Sequence, residues 1–440
     1  MSTRSENGKR RANCTATLLS AITLTVFLGC GAALTDTEQS VYPRFSLVGD
    51  LPDRVTELEL TIDAPDIETI QETISPDDGA HVVELPPGEQ RFIELLTIDD
   101  VYSGDVTADF PDPGEYEITV PMTPGPIIPD PGNERLVQIR DISGAGRREL
   151  GADGIGTLDD FQPSNAAYDD DGYLWVADYG VFPTYGLIRT GDFFDDQTVD
   201  VYLESTAVDA LAVDSDRDRV YFWGFPDPGL GLYVLDTETG NASDEPIIGA
   251  EDLAEETIPD PSDLAESQVF GLDIDENGHI VAAVNTNEFG NWFWVVRIDP
   301  DADEDLVVDS LAPEALGWDV FDEVFDPLDV VRDVNVIGNE VYATLAIEDG
   351  FDALEYPQML RFDADFNPDS IDAVTPQEGE FLGPQRFVAK REESGPIIVT
   401  DWDGDPDNAR LLAFDPDEEE WEEYSDAGDP FAFFELVVAY

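Results

Sequence analysis

The sequence predicts an all-β protein: a small N-terminal β-sandwich, then a six-bladed β-propeller closed by pairing its N- and C-terminal strands. Three observations carry this. Residues Pro163 to Gly180 read PSNAAYDDDGYLWVADYG, an apolar run, an Asp/Gly turn, an aromatic and β-branched run and an acidic stop. That is the pattern of two strands joined by a tight turn. The pattern returns four times, and its opening strand once more at the C-terminus, at intervals of about 50 to 60 residues, the signature of a ring of blades. Ahead of it, VTELELTIDAP alternates apolar and polar residues with period 2, as a strand with one buried face does.

The chain has 440 residues, 42% of them hydrophobic, which is enough for ordinary cores. Charge is its outlier: 99 acidic residues against 21 basic ones give a net charge of −78. Lys9 and Lys390 are the only lysines. An acidic surface almost without lysine resembles the proteins of halophilic prokaryotes. In 1 M salt the Debye length is about 3 Å, so surface carboxylates stop repelling one another. The competing reading is an acidic Ca²⁺-binding exoprotein. Nucleic acid is excluded as a partner, because its phosphates would meet a strongly negative surface.

Residues 1–29 read as a signal peptide. Arg4, Lys9, Arg10 and Arg11 form a basic head, and Cys14 to Leu28 an apolar, Thr-rich stretch of signal length. Phe27-Leu28-Gly29-Cys30 resembles a bacterial lipobox, with Phe27 departing from the usual leucine. The resemblance implies cleavage before Cys30, lipidation of that residue and a location at the cell envelope. Cys14 is then discarded, so the mature chain keeps one cysteine and can form neither a disulfide nor a cysteine metal site.

Residues 30–41 form a polar tether. Residues 42–123 carry candidate strands at Arg44–Val48, Glu57–Ile62, His81–Leu85, Gln90–Thr97 and Glu115–Val120. Ile67–Ile74 fits a strand or a short helix. The run ELTIDAP…ELPPGEQRFIELLTID…PGEYEITVPM is similar to the immunoglobulin-like β-sandwich modules of secreted bacterial proteins, which implies a spacer or adhesive role. Residues 124–133 read as a linker, since the four prolines and two glycines of TPGPIIPDPGN argue against any strand.

Residues 134–440 carry the repeat. First strands are expected at Ser164–Tyr168, Val208–Asp214, Phe270–Asp275, Asp333–Ile337, Arg386–Lys390 and Ala432–Val438. Second strands are expected at Tyr173–Asp178, Val220–Phe225, His279–Asn285, Glu340–Ile347 and Pro396–Asp401. Third strands end at Asp141, Thr190, Asp236, Asp299, Asp363 and Asp415. Six third strands imply six blades. The first of these blades lacks a legible second strand and borrows its first strand from the C-terminus, which removes open edges. Asp171-Gly172-Tyr173-Leu174-Trp175-Val176-Ala177-Asp178, with Ile398–Asp401 and Asn408–Leu411, resembles the blades of NHL and SMP-30-like propellers.

Asp273-x-Asp275-x-Asn277-Gly278 matches the start of an EF-hand loop, but position twelve is Val284 and Asn-Gly is itself a hairpin turn. It reads as a turn. No cofactor is expected, with Ca²⁺ the one ion such aspartate ladders could hold weakly. The two histidines, His81 and His279, have no serine or cysteine at triad spacing. The SMP-30-like resemblance implies a divalent ion in the central channel of its lactonases, for which Asp178, Asn285 and Asp401 are the matching candidates.

The loops after the second strands should share one rim. Asp178, Tyr179, Tyr185, Trp223, Asn285, Trp292, Asp401 and Trp402 are the expected ligand-binding residues there. Aromatic rings beside Asn and Asp suit stacking on a saccharide or gripping a peptide. The function expected is non-catalytic binding or scaffolding, with an envelope protein, peptide or saccharide as partner. The alternative is a metal-dependent lactone or ester hydrolase.

Overall fold

The structure, a computed structural model, describes residues 40–48, 51, 55–76, 81–98, 101–140, 146–151, 161–179, 186–190, 199–203, 206–226, 229–257, 266–286, 293–302, 306–311, 330–346, 359–374, 384–387, 396–401, 410–416 and 419–423. The signal peptide, Cys30 and the expected C-terminal strand Ala432–Val438 lie outside the described residues. None of the described helices is long and apolar enough to cross a membrane.

The chain divides into two compact units, Met1–Ile98 with Ser103–Thr123, and Asp99–Tyr102 with Pro124–Tyr440. In the first, Val41–Val48 runs parallel to Gly114–Pro121 and antiparallel to His81–Val82. A second sheet sets Ile70–Ile74, Leu58–Asp63, Gly88–Thr97 and Tyr102–Phe110 side by side, all antiparallel. The period-2 pattern does its expected work: Leu58, Leu60, Ile62, Ile93 and Leu95 are fully buried.

Arg91 falls in phase with that apolar face and is fully buried too. It forms an ion pair with Asp66 and donates to the carbonyls of Pro86 and Pro87, both at 3.3 Å. The Arg91 hydrogen bond holds the Asp66 carboxyl below the usual carboxylate range. A buried cation is tolerated only with such partners.

The second unit is built of antiparallel sheets in chain order, six among the described residues. The first has three strands, Ile127–Asp130, Arg135–Ile139 and Arg147–Gly151. The second runs Pro163–Tyr168, Leu174–Asp178, Gly186–Thr190 and Val199–Val201. The third runs Val208–Asp214, Arg219–Gly224, Gly231–Asp236 and Asn241–Ala242, with a fifth short strand, Ile248–Gly249, also paired to Gly231–Asp236. The fourth runs Ser267–Ile274, Ile280–Thr286, Phe293–Ile298 and Val307–Leu311. The fifth runs Val330–Ile337, Glu340–Ala346, Met359–Asp363 and Asp372–Ala373. The sixth runs Pro384–Phe387, Ile397–Asp401, Arg410–Asp415 and Glu420–Glu423.

Within each four-stranded sheet the spatial order follows the chain order. The first strands of successive sheets pack side by side, from the second sheet to the sixth. That arrangement is a β-propeller, with first strands inside. Between its sheets lie the large apolar side chains. Trp175, Phe222 and Tyr233 fill one contact, and Tyr221, Trp223 and Val284 the next.

Two expectations are corrected. Residues 124–133 are not a strandless linker, because Ile127–Asp130 pairs antiparallel with Arg135–Ile139. Ile127 and Ile128 are fully buried and supply the apolar pair a strand needs. Pro129 sits in the strand at the edge of its sheet, where a missing N–H costs least. A helix, Ala250–Thr257, was not expected; it buries Leu253 and Ala254 against the third and fourth sheets.

Candidate functional site

The hairpins at Asp169 and Asp275 are built alike. Asp169 Oδ1 accepts from Tyr173 N at 2.8 Å, and its Oδ2 accepts from Trp175 Nε1 at 3.0 Å. Asp275 Oδ1 accepts from Asn277 N at 2.8 Å and from His279 N at 2.9 Å. Gly172 and Gly278 follow with φ of 84° and 81°, the left-handed region that favours glycine. Each of these stretches is thus a turn closed by its leading aspartate, one oxygen of which accepts from the turn's own backbone.

The inner strand of each of the second to sixth sheets carries a β-bulge near its start. The register shifts between Pro163 and Asn165, Val208 and Ala210, Val269 and Gly271, Val331 and Asp333, and Pro384 and Phe387. The extra residues include Ser164, Asp209, Phe270 and Arg332, all buried. The Arg332 guanidinium lies 5.7 Å from the centre of the Phe270 ring on the preceding inner strand.

Beyond the bulges the inner strands line a half-open cavity of about 710 Å³. Its wall runs from Asn165 and Asp333 to the hairpin turns at Asp170, Asp216, Glu276 and Gly338. The lining ends with these exposed turns and does not include the bulge residues. The cavity therefore belongs to the hairpin end of the propeller, opposite the rim formed by the loops after the second strands.

Two wall carboxylates clip one inner strand to the next. Asp273 Oδ2 accepts from Val336 N at 2.6 Å and Asn335 Nδ2 at 3.2 Å. Asp333 Oδ2 accepts from Phe387 N at 2.9 Å. An inner strand has a free edge, and these aspartates satisfy N–H groups that no neighbouring strand pairs. Gly271 is required here, since a Cβ on it would lie 2.1 Å from Asp333 Oδ1. At the turns, arginines staple sheet to sheet. Arg217 Nη2 donates to Asn277 O at 3.0 Å, Arg219 Nη1 to Asp301 Oδ1 at 3.0 Å and Arg297 Nη1 to Ala364 O at 2.7 Å.

The expected rim residues take different places. Asp178 is fully buried, and its Oδ1 accepts from Gln162 N at 2.8 Å. Asn285 is buried, with its amide donating to Val331 O at 2.9 Å and accepting from Val331 N at 3.1 Å. Asp401 is fully buried, and its Oδ2 accepts from Arg410 Nε at 2.8 Å. Tyr179 is half-buried at the end of its sheet; burial first, and the nearby Asp209 carboxylate second, push its phenol up.

Trp223 is corrected from rim to core: it is fully buried between the third and fourth sheets. Its position one residue before the strand end leaves its side chain between sheets. Its neighbour Phe225 is instead 65% exposed. Tyr185, Trp292 and Trp402 lie outside the described residues. Sequence reasoning missed Asp273 and Asp333 as wall residues, because a clip needs the neighbouring strand to be in place.

No family model matches the chain, and no curated protein matches it. Among solved structures, the chain is similar to the nidogen/laminin complex at 8% identity, covering 69% of this chain and 94% of that chain with a TM-score of 0.45. It is similar to TolB from Acinetobacter baumannii at 10% identity, covering 79% of each chain with a TM-score of 0.43. It is also similar to the Cps50 (Swd1) β-propeller domain of Myceliophteria thermophila at 11% identity, covering 67% of this chain and 84% of that chain, with a TM-score of 0.37. The propeller assignment rests on the sheet order and packing of this chain itself.

Proposed function

We propose a non-catalytic binding or scaffolding protein of the cell envelope in a halophilic prokaryote, with the axial cavity as its ligand site. The cavity carries this reading: at about 710 Å³ it has the size of a small-ligand pocket, which spans roughly 300 to 1,000 Å³. The aromatic rim becomes a second contact face in this reading, with Phe225 as its exposed ring.

The propeller has six blades in the proposal, Ala432–Val438 supplying the missing inner strand beside Ile127–Asp130. The N-terminal unit is an immunoglobulin-like sandwich that serves as a spacer. A lipid on Cys30 holds the chain at the membrane, and SMP-30-like or NHL-like ancestry accounts for the blade pattern.

A ligand panel of cations, saccharides and short peptides tests the binding role by thermal shift in molar NaCl. At least one class should raise the melting temperature of the wild type. No shift from any class would overturn the reading. Loss of Cys30→Ser from the membrane fraction tests the anchor, and a melting temperature that rises from dilute buffer to molar NaCl tests the halophilic origin.

A further inference from the structure

We propose that Asn241 is a glycan attachment site, modified on its side-chain amide after the chain is exported. This rests on the export reading above and goes beyond it.

The sequence supplies the first observation. Asn241-Ala242-Ser243 is an asparagine followed by a residue other than proline and then a serine, the acceptor pattern for N-linked saccharides in secreted chains. Asn13-Cys14-Thr15 is the only other such triplet, and it lies in the segment read as a signal peptide. Beyond that segment the pattern occurs once.

The structure supplies a second, independent observation. Chance triplets fall in cores and on inner strands as readily as on a surface. This one falls on Asn241–Ala242, the outer strand of the third sheet, just after the turn that Asp236 closes by accepting from Thr239 N at 2.7 Å. Asn241 is exposed. Other asparagines use their amides inside the protein: Asn285 donates to Val331 O, Asn133 to Asp130 Oδ2 at 2.9 Å and Asn335 to Asp273 Oδ2 at 3.2 Å. The Asn241 amide makes no hydrogen bond among the described residues. Ser243 is held beside it, with its N donating to Val234 O at 2.8 Å and its Oγ accepting from Val234 N at 3.3 Å. Two register pairs hold the outer strand, Leu235 with Ala242 and Asp236 with Asn241. So short an edge opens locally at low cost, which lets a transferring enzyme take the triplet as a loop.

The step is redox-neutral. Asn241 Nδ2 attacks the anomeric carbon of a saccharide carried on a lipid phosphate. The C–N bond forms as the bond from that carbon to the phosphate oxygen breaks. The phosphate leaves with the electron pair, and the amide proton passes to a base of the transferring enzyme. The product is a bulky, solubilising group at a strand edge, where it blocks pairing with another chain.

Mass spectrometry of the full chain, recovered from the cells that make it and cleaved before aspartates, tests the inference on the peptide Asp236–Ser243. That peptide should carry a saccharide mass, and Asn241→Gln should lose it completely. Ser243→Thr should keep the mass and Ser243→Ala should lose it. A bare wild-type peptide from a chain that has lost residues 1–29 would overturn the proposal and leave export standing. A bare peptide from a chain that retains them would overturn both readings. A saccharide that persists in Asn241→Gln sits on a hydroxyl, of Thr237, Thr239 or Ser243, and would also overturn the proposal.

Discussion

The two ends of the propeller join neighbouring sheets by different chemistry. At the rim end the joints are buried and mostly neutral: the Asn285 amide grips both backbone groups of Val331, and Ser164 Oγ donates to Val208 O at 2.9 Å. At the hairpin end the joints are guanidinium staples on partly exposed turns, such as Arg219 to Asp301 and Arg361 to Glu419. Buried hydrogen bonds are worth more than exposed ion pairs, because losing one leaves an unsatisfied group with no water to answer it. The rim end is therefore the structural seam. The hairpin end is held more loosely, and it is where the cavity lies.

The largest expected effect falls at the seam. Trp223→Ala should cost about 3–5 kcal/mol in chemical denaturation, the range for removing a buried aromatic. An unmoved midpoint would return Trp223 to a ligand-facing rim. Trp223→Phe should cost far less, since it also removes an indole N–H that is buried without a hydrogen-bond partner among the described residues. Next comes Asn285→Leu, which strands two backbone groups and should cost about 1–3 kcal/mol. A neutral result would erase the contrast between the ends.

The hairpin end should respond less. Arg361→Met removes a guanidinium that reaches Glu419 at 3.4 Å and should cost about 0–1 kcal/mol, less still in molar salt. A cost that equals that of Asn285→Leu would show the staples to be as firm as the seam. Smallest of all, Asp216→Asn alone should change stability by less than about 0.5 kcal/mol, as exposed substitutions do.

The sheets were legible because each hairpin announces itself locally. Val208–Asp214 is bounded as its pattern predicts, and Asp169 and Asp275 each close a turn with their own carboxylate. Elements that depend on a neighbour were not legible. Ile127–Asp130 hides its strand behind prolines and declares it only when paired with Arg135–Ile139. The bulges add one residue without changing composition, so period counting passes over them.

What the expected rim residues hold was not legible for a related reason. Alternation tells which residues share an end of a sheet, but not which end encloses space. Asp178, Asn285 and Asp401 share an end, as expected, but there they hold protein groups.

The aspartate clips have a consequence for any peptide that enters the cavity. Many β proteins bind peptides by letting them add a strand to an exposed edge, so that backbone bonds give affinity whatever the sequence. Here Asp273 and Asp333 already occupy donors on two inner edges. An incoming chain finds no continuous ladder to extend along these strands. Recognition there must pass through side chains, and it will discriminate by charge where strand addition would have been indifferent to it.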